Sequence, residues 1–172
     1  DAYAALLAQN AAGRAVMLDP NIRPGFIRDI ARYRTRLDQM IAQSDIVKVS
    51  DEDLNWLTPE PLSLREKVEG ILDKGVSLVI LTRGGEGATG FLAGGAEVQV
   101  PAERADTVDT VGAGDTFNAG VMAKLSEQGC LHKSGLADLA PETLRAALAY
   151  GARVAAITVS RAGANPPWAS EL

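Results

Sequence analysis

The sequence predicts an α/β fold, doubly wound around a mainly parallel sheet, and three observations carry that prediction. Short apolar runs, AVMLD at 15–19, DIVKV at 45–49 and VSLVILT at 76–82, have the length of buried strands. Stretches with helical spacing separate them, and a strand–helix–strand order with short loops means right-handed crossovers between parallel neighbours. Polar residues gather just after each run, at the carboxyl ends of the strands, where sheets of this kind hold their ligands.

Taken in order, the chain opens with DAYAALLAQNAAG, an alanine-rich helix over 2–12 that Gly13 stops. The first strand, 15–19, ends at an acid and a proline. Ile27, Ile30, Leu37 and Ile41 then recur at helical spacing, with Arg34 the one polar member of the stripe. The β-branched run 45–49 is the second strand. Val68, Ile71 and Leu72 share a face of a helix over 64–74, which Gly75 ends, and 76–82 is the clearest buried strand. ATGFL and AEVQV flank Ala93, Gly94 and Gly95 and predict a hairpin. The last third is helical, 113–128 and then 141–158, alanine-rich and able to pack closely. No repeat or low-complexity linker interrupts the 172 residues, so no domain boundary is expected inside them.

Composition narrows the function. Apolar residues make up 47% and charged residues 23%, an ordinary soluble balance. A net charge of −5 argues against nucleic acid or an acidic membrane surface as the main partner, because both reward a basic face. The lone Cys130 cannot form an internal disulfide, which suits a reducing cytoplasm and a small apolar filler. No apolar run approaches the roughly 20 residues that span a bilayer, and no basic n-region of a signal peptide is visible. His132 falls in a loop-like stretch without an acid at catalytic spacing, so neither a triad nor a histidine metal site is supported. Trp56 and Trp168 are too sparse for a base-stacking platform. Arg28, Arg32 and Arg36 recur every four residues and read as a solvated helix face.

The chemistry concentrates in DTVGAGDTFNAG, 109–120. Gly112, Ala113 and Gly114 lead into a helix, so their N–H groups and the helix dipole aim at one place and small side chains let an anion approach. Asp115 in the first turn would repel a phosphate lying directly beside it. It makes sense if a hydroxyl lies between the two: the carboxylate takes the proton as the oxygen attacks phosphorus, and the amides hold the developing charge. The competing reading is a helix-capping or dipole-pairing aspartate after an ordinary glycine turn. The loop is not a Walker A motif, since no Gly-Lys-Ser/Thr ends it.

Over these residues the sequence resembles the ribokinase-like, or PfkB, carbohydrate kinases. Asp109 to Gly120 fits their C-terminal signature at every position. LDPNIRP resembles the Asp-x-Asn-x-Arg segment of fructokinases and 2-keto-3-deoxygluconate kinases, VKVSDEDLNWL the fructokinase form of the family's Asn-x-x-Glu segment, and LTRGGEG keeps Thr-x-Gly-x-x-Gly. The resemblance runs through essentially the whole chain and implies a ribokinase-like three-layer α/β/α fold. It implies Asp115 as catalytic base and Gly112, Ala113 and Gly114 as anion hole. Thr82, Gly84 and Gly87 would meet ATP phosphates, with Lys48 approaching them unless it is merely solvated. Ser50 and Asp53 stand where the family has Asn and Glu, which organise water and Mg²⁺; both are shorter here, and Asp51, Glu52 and Asp53 also read as the charged first turn of a helix.

Arg23 would clamp a substrate anion or brace the γ-phosphate, or else be a plain surface arginine, with Asp19 and Asn21 orienting its segment. A monovalent cation, K⁺, would lie by the Asp109 side chain and the carbonyls of Val111, Thr158, Arg161 and Gly163. The adenine pocket would be lined from 147 to Gly151 and by Gly163 to Asn165, although alanine-rich helices often simply pack closely. Family members are longer, so residues 1–172 are expected to be the C-terminal, nucleotide-binding and catalytic-base part of one kinase domain, without the lid and inactive alone. The parent would phosphorylate a sugar with ATP and Mg²⁺, fructose foremost and 2-keto-3-deoxygluconate second, as a cytoplasmic homodimer. A non-catalytic nucleotide-binding protein of the same fold is the rival from another class. A dinucleotide-binding dehydrogenase stands far behind, because no Gly-x-Gly-x-x-Gly follows the first strand.

Overall fold

A computed structural model describes residues 2–172; Asp1 lies outside the described residues. Helix α1 (Ala2–Asn10) precedes strand β1 (Met17–Leu18), α2 (Ile30–Ile41) and β2 (Ile46–Ser50). Two short helices, α3 (Asp51–Leu57) and α4 (Leu64–Leu72), lead to β3 (Leu78–Thr82). The hairpin β4 (Ala88–Leu92) and β5 (Glu97–Val100) follows, then α5 (Ala113–Glu127), α6 (Lys133–Ala137) and α7 (Pro141–Val159).

The five strands lie in sequence order. β1, β2 and β3 are parallel, in a register that sets Ser50 beside Thr82, and β4 and β5 continue the sheet antiparallel. Alternation along the strands divides the core into two layers. Val47, Val49, Val79 and Leu81 pack against Leu37 and Ile41 of α2, Leu54 of α3, and Val68 and Ile71 of α4. Ile46, Leu78, Ile80, Val98 and Val100 face Phe117, Val121 and Leu125 of α5 and Leu144 and Leu148 of α7. The two crossovers thus cover one face, the C-terminal helices cover the other, and the expected α/β/α layering is present. Among the described residues no helix is long and apolar enough to cross a membrane.

Helices α5 and α7 meet at glycine. A Cβ on Gly151 would come within 2.9 Å of the Phe117 carbonyl oxygen, and one on Gly120 within 2.9 Å of the Gly151 Cα. The backbones therefore touch where both side chains are hydrogen, which is the close packing that the alanine-rich composition allows.

Differences from the expected elements have local causes. The first strand is shorter than 15–19 because the Val16 backbone is bonded to Asp45: its N–H donates to Asp45 Oδ2 at 2.8 Å, and its carbonyl accepts from the amides of Asp45 and Ile46. α2 starts at Ile30, since Asp29 caps it by accepting from the Arg32 amide. Arg34, the polar exception in the α2 stripe, lies 3.9 Å over the Trp56 ring and donates to the carbonyls of Trp56 and Leu57. Its charged head serves as a packing group. His132 lies in the loop between α5 and α6, as expected, and caps α6, accepting from the Gly135 amide through Nδ1 at 3.1 Å.

Candidate active site

The rim at the carboxyl ends of β1 to β3 is held together by side chains from separate segments. Asp53, 5% exposed, uses one carboxylate oxygen to accept the Ile22 amide at 2.8 Å and the other to accept the Ser50 amide at 3.4 Å. Ser50 Oγ accepts the Asp53 amide in return, forming a capping box that starts α3. Both oxygens of Asp53 are thus engaged by backbone, and what it does here is tie the loop after β1 to the end of β2. That is a structural duty where the resemblance implied an organiser of water and Mg²⁺. Among the described residues no cluster of three or more His, Cys, Asp and Glu side chains could hold a metal.

Lys48, buried in β2, pairs with Asp19 at 3.0 Å, and the same Asp19 oxygen accepts from the Asn118 amide nitrogen at 2.9 Å. The other Asp19 oxygen and the Asn118 side-chain oxygen are buried without a partner among the described residues. Gly114 sits against this network: a Cβ there would stand 3.4 Å from Lys48 Nζ. A lysine ammonium is therefore fixed at the base of the glycine loop, paired with one carboxylate. It is not a solvated lysine.

At the start of α5, Gly112 takes the left-handed conformation, φ +79°, and gives no side-chain cap. The Ala113 amide turns back to the Thr110 carbonyl at 3.3 Å, whereas the amides of Gly112, Gly114 and Asp115 donate to nothing among the described residues. The amides open to a ligand are therefore those of Gly112, Gly114 and Asp115, while that of Ala113 is engaged. Asp115 is exposed at the third position of the helix, and its carboxylate makes no hydrogen bond or ion pair among the described residues. A capping aspartate would accept a first-turn amide; this one accepts none, so the capping reading fails on geometry.

Thr82, paired with Ser50 across the β2–β3 ladder, donates at 3.5 Å to the Val49 carbonyl. Gly84 opens a one-turn 3-10 helix with φ +50° and open space around it, as a phosphate contact requires. Gly87 is different: it is buried under the backbone of 100–102. Arg23 is exposed and donates to the Ile22 carbonyl at 2.9 Å, and Asn21 adopts φ +43°, a conformation asparagine tolerates better than most residues.

Asp109 bridges two segments, accepting the Val111 amide at 3.0 Å and the Gly163 amide at 2.9 Å. The Val108 and Asp109 amides in turn donate to the Val159 carbonyl. Val111 and Gly163 are thereby brought to the Asp109 side chain. The Thr158 carbonyl accepts from the Arg161 amide in the turn that ends α7, and the Gly163 carbonyl from the Asn165 amide. Ala164 packs on Gly112, 2.9 Å from where its Cβ would be, so the loop carrying Asn165 adjoins the anion loop. Gly151 does not: it faces α5 and acts in helix packing.

Hydrogen bonds from Val111 and then Gly163 hold the Asp109 carboxyl below its usual 3.8. A carboxylate with a depressed pKa stabilises the folded form above the unfolded value and loses that contribution as pH falls through the folded one. The Gly163 amide resonance should therefore titrate with a midpoint below 3.8. A midpoint at or above that value would show the bridge to be absent in solution.

The sequence and the fold both match known proteins. The model of the pfkB family of carbohydrate kinases matches residues 1–171. The chain belongs to this family. Among pfkB relatives, a fructokinase of Rhizobium leguminosarum bv. trifolii is 46% identical over 149 residues, which are 84% of this chain and 44% of that protein. A fructokinase of Klebsiella pneumoniae is 34% identical over 99% of this chain and 53% of its own length. The solved fructokinase of Xylella fastidiosa with bound ATP superposes with a TM-score of 0.84 at 25% identity, over 94% of this chain and 51% of that one. A double-mutant fructokinase of Vibrio cholerae O395, in a form binding fructose, ADP and potassium ion, gives a TM-score of 0.79 at 26% identity, over 93% and 49%. The chain spans about half the length of the relatives it matches.

Two contributors were not singled out from the sequence as site residues. Asn118 lies inside the signature, one turn past Asp115, and its α-helical spacing was the only available signal. Asp19 was read as orienting its own segment, whereas its carboxylate in fact holds Lys48 and Asn118.

Proposed function

We propose that this chain is the C-terminal, nucleotide-side portion of an ATP-dependent, fructokinase-like carbohydrate kinase of the cytoplasm. The observation that carries the reading is an unengaged carboxylate, Asp115, standing beside amides that also lack partners. A phosphate at the amides and a sugar hydroxyl at the carboxylate satisfy both sets at once.

In this mechanism Asp115 accepts the hydroxyl proton as the sugar oxygen bonds to the γ-phosphorus, and the bond from phosphorus to the β–γ bridging oxygen breaks to release ADP. The amides of Gly112, Gly114 and Asp115 and the start of α5 hold the developing negative charge. Lys48, kept in place by Asp19 and Asn118, adds a fixed positive charge below the same loop. Thr82 and Gly84 line the path of the remaining phosphates, Arg23 braces the acceptor side, and Gly163 to Asn165 border the base. Mg²⁺ would neutralise the nucleotide phosphates, bound to them and to water, while both carboxylate oxygens of Asp53 accept backbone amides. K⁺ is assigned to the turn where Asp109, Val111, Thr158, Arg161 and Gly163 meet.

The test is sugar-dependent ADP release by the complete kinase over a panel containing fructose and 2-keto-3-deoxygluconate. Turnover with fructose is expected. Turnover with the keto-acid sugar instead would transfer the assignment to that kinase, and ATP binding without any turnover would leave a non-catalytic nucleotide-binding protein. Residues 1–172 alone should release little or no ADP, and sugar-dependent turnover by them would overturn the assignment as a portion.

A further inference from the structure

One oxygen of Asp19 serves two partners. It accepts from Lys48 Nζ of β2 at 3.0 Å and from Asn118 Nδ2 of α5 at 2.9 Å. An ionised aspartate can only accept, so Asn118 must offer its nitrogen, and its own oxygen is left buried without a partner among the described residues. A buried amide oxygen in that state costs stability, so a polar side chain at this position of a packed helix calls for a reason. Its single hydrogen-bond partner among the described residues is Asp19, and what Asn118 holds directly is therefore the loop after β1 rather than the lysine.

That loop is short and stiff. Pro20 fixes its own φ and keeps Asp19 extended. Ile22, three residues past Asp19, is buried and donates its amide to Asp53. Between and just beyond these two anchors lie Asn21 and Arg23, the residues assigned to the acceptor side. A displacement of Asp19 has no slack to disappear into and reaches both of them. Asn118 in turn rides on α5, whose first turn carries the open amides and Asp115. Lys48 Nζ lies beside Gly114, so an anion at the glycine loop draws on the lysine and leaves Asn118 as the fixed contact of Asp19. On the kinase assignment of this site, we propose that Asn118 is a positioning residue: through Asp19 it links the Gly112–Asp115 loop to the acceptor loop at 19–23, so that nucleotide and sugar reinforce each other's binding. A helix and a loop that shift only together couple their ligands, and the coupling is reciprocal.

The first experiment is an amide NMR titration of the 172-residue chain with inorganic tripolyphosphate. Saturable shifts at 112–115 are expected, with shifts of the Asn21 and Ile22 amides at the same midpoint. In Asn118→Ala the shifts at 112–115 should persist while those at 21 and 22 fall at least about threefold, as loss of a coupling contact requires. The exchanged pair Asp19→Asn/Asn118→Asp keeps one amide donor and one carboxylate beside Lys48, and it should restore them. In the complete kinase, Asn118→Ala should raise the sugar KM about fivefold or more and hold kcat within about twofold, a split that a merely weakened fold does not produce. Wild-type shifts at 112–115 with none at 21 and 22 would overturn the link and leave the kinase assignment standing; this arm needs no variant to fold. Undiminished shifts at 21 and 22 in Asn118→Ala would overturn it too, because the anion would then touch the loop directly. A raised ATP KM with an unchanged sugar KM would return Asn118 to the support of Lys48. No shift at 112–115 would remove the anion site, and the kinase assignment and the link with it.

Discussion

Asp115→Asn should lower sugar-dependent turnover of the kinase by about 10²–10⁴-fold, the range that a positioned general base supplies. ATP affinity should be held or raised, because the substitution removes a negative charge next to the amides that receive phosphate. The two roles open to a first-turn aspartate separate on stability. A dipole partner at this position contributes about 0.3–1 kcal/mol to folding and nothing to chemistry. A base without hydrogen bonds to its own helix contributes the reverse. Steady-state ADP release and urea unfolding of the same variant decide the matter. Unchanged unfolding with lost turnover assigns the base; lost stability with intact turnover returns Asp115 to the helix dipole. The asparagine keeps the shape of the side chain, so an effect through packing is excluded by construction.

The layers and the glycine–aspartate loop were legible in the sequence because both rest on periodicity and on residues with one dominant use. Val47, Val49, Val79 and Leu81 announce a buried strand pair by composition, and Gly112 to Gly114 announce a turn into a helix that an anion can approach. What escaped depends on partners far away in the chain. Nothing near Asp53 reveals that Ile22, 31 positions earlier, will donate to its carboxylate, and a carboxylate in an acidic run reads equally well as a metal organiser. Asn118 and Asp19 meet across 99 positions, so their joint hold on Lys48 exists only in the folded molecule. Arg34 broke an apolar stripe for the same reason: its ring partner and its carbonyl partners lie on α3. Gly151 was assigned to an adenine pocket by position, yet a glycine opposite another helix answers first to the contact it permits.

The LTRGGEG motif divides in the same way, and its first and last glycines have opposite fates. Gly84→Ala should cost only about 1–2 kcal/mol, the strain of a left-handed residue, because a Cβ there meets nothing within 4 Å. Gly87→Ala should cost roughly 3–5 kcal/mol. Its φ of +99° with ψ of −148° lies in a region that essentially only glycine enters, worth about 1–3 kcal/mol of strain. A Cβ would in addition fall 2.2 Å from the Val100 carbonyl oxygen and 2.7 Å from the Ala102 nitrogen. Backbone cannot step aside as a side-chain end can, and overpacking of this kind adds about 1–3 kcal/mol. Against a typical total of about 5–15 kcal/mol, a substantial share of the fold is lost. The cause is local: Gly87 receives the Arg83 amide at its carbonyl, 2.9 Å away, and closes the 3-10 turn onto the end of β5. Urea midpoints at equal slope measure both variants. A Gly87→Ala midpoint matching that of Gly84→Ala would mean that the strand end moves aside, and the motif's last glycine would return to the phosphate path; the expected gap keeps it as the residue that lets the chain leaving β5 pack on the 3-10 turn.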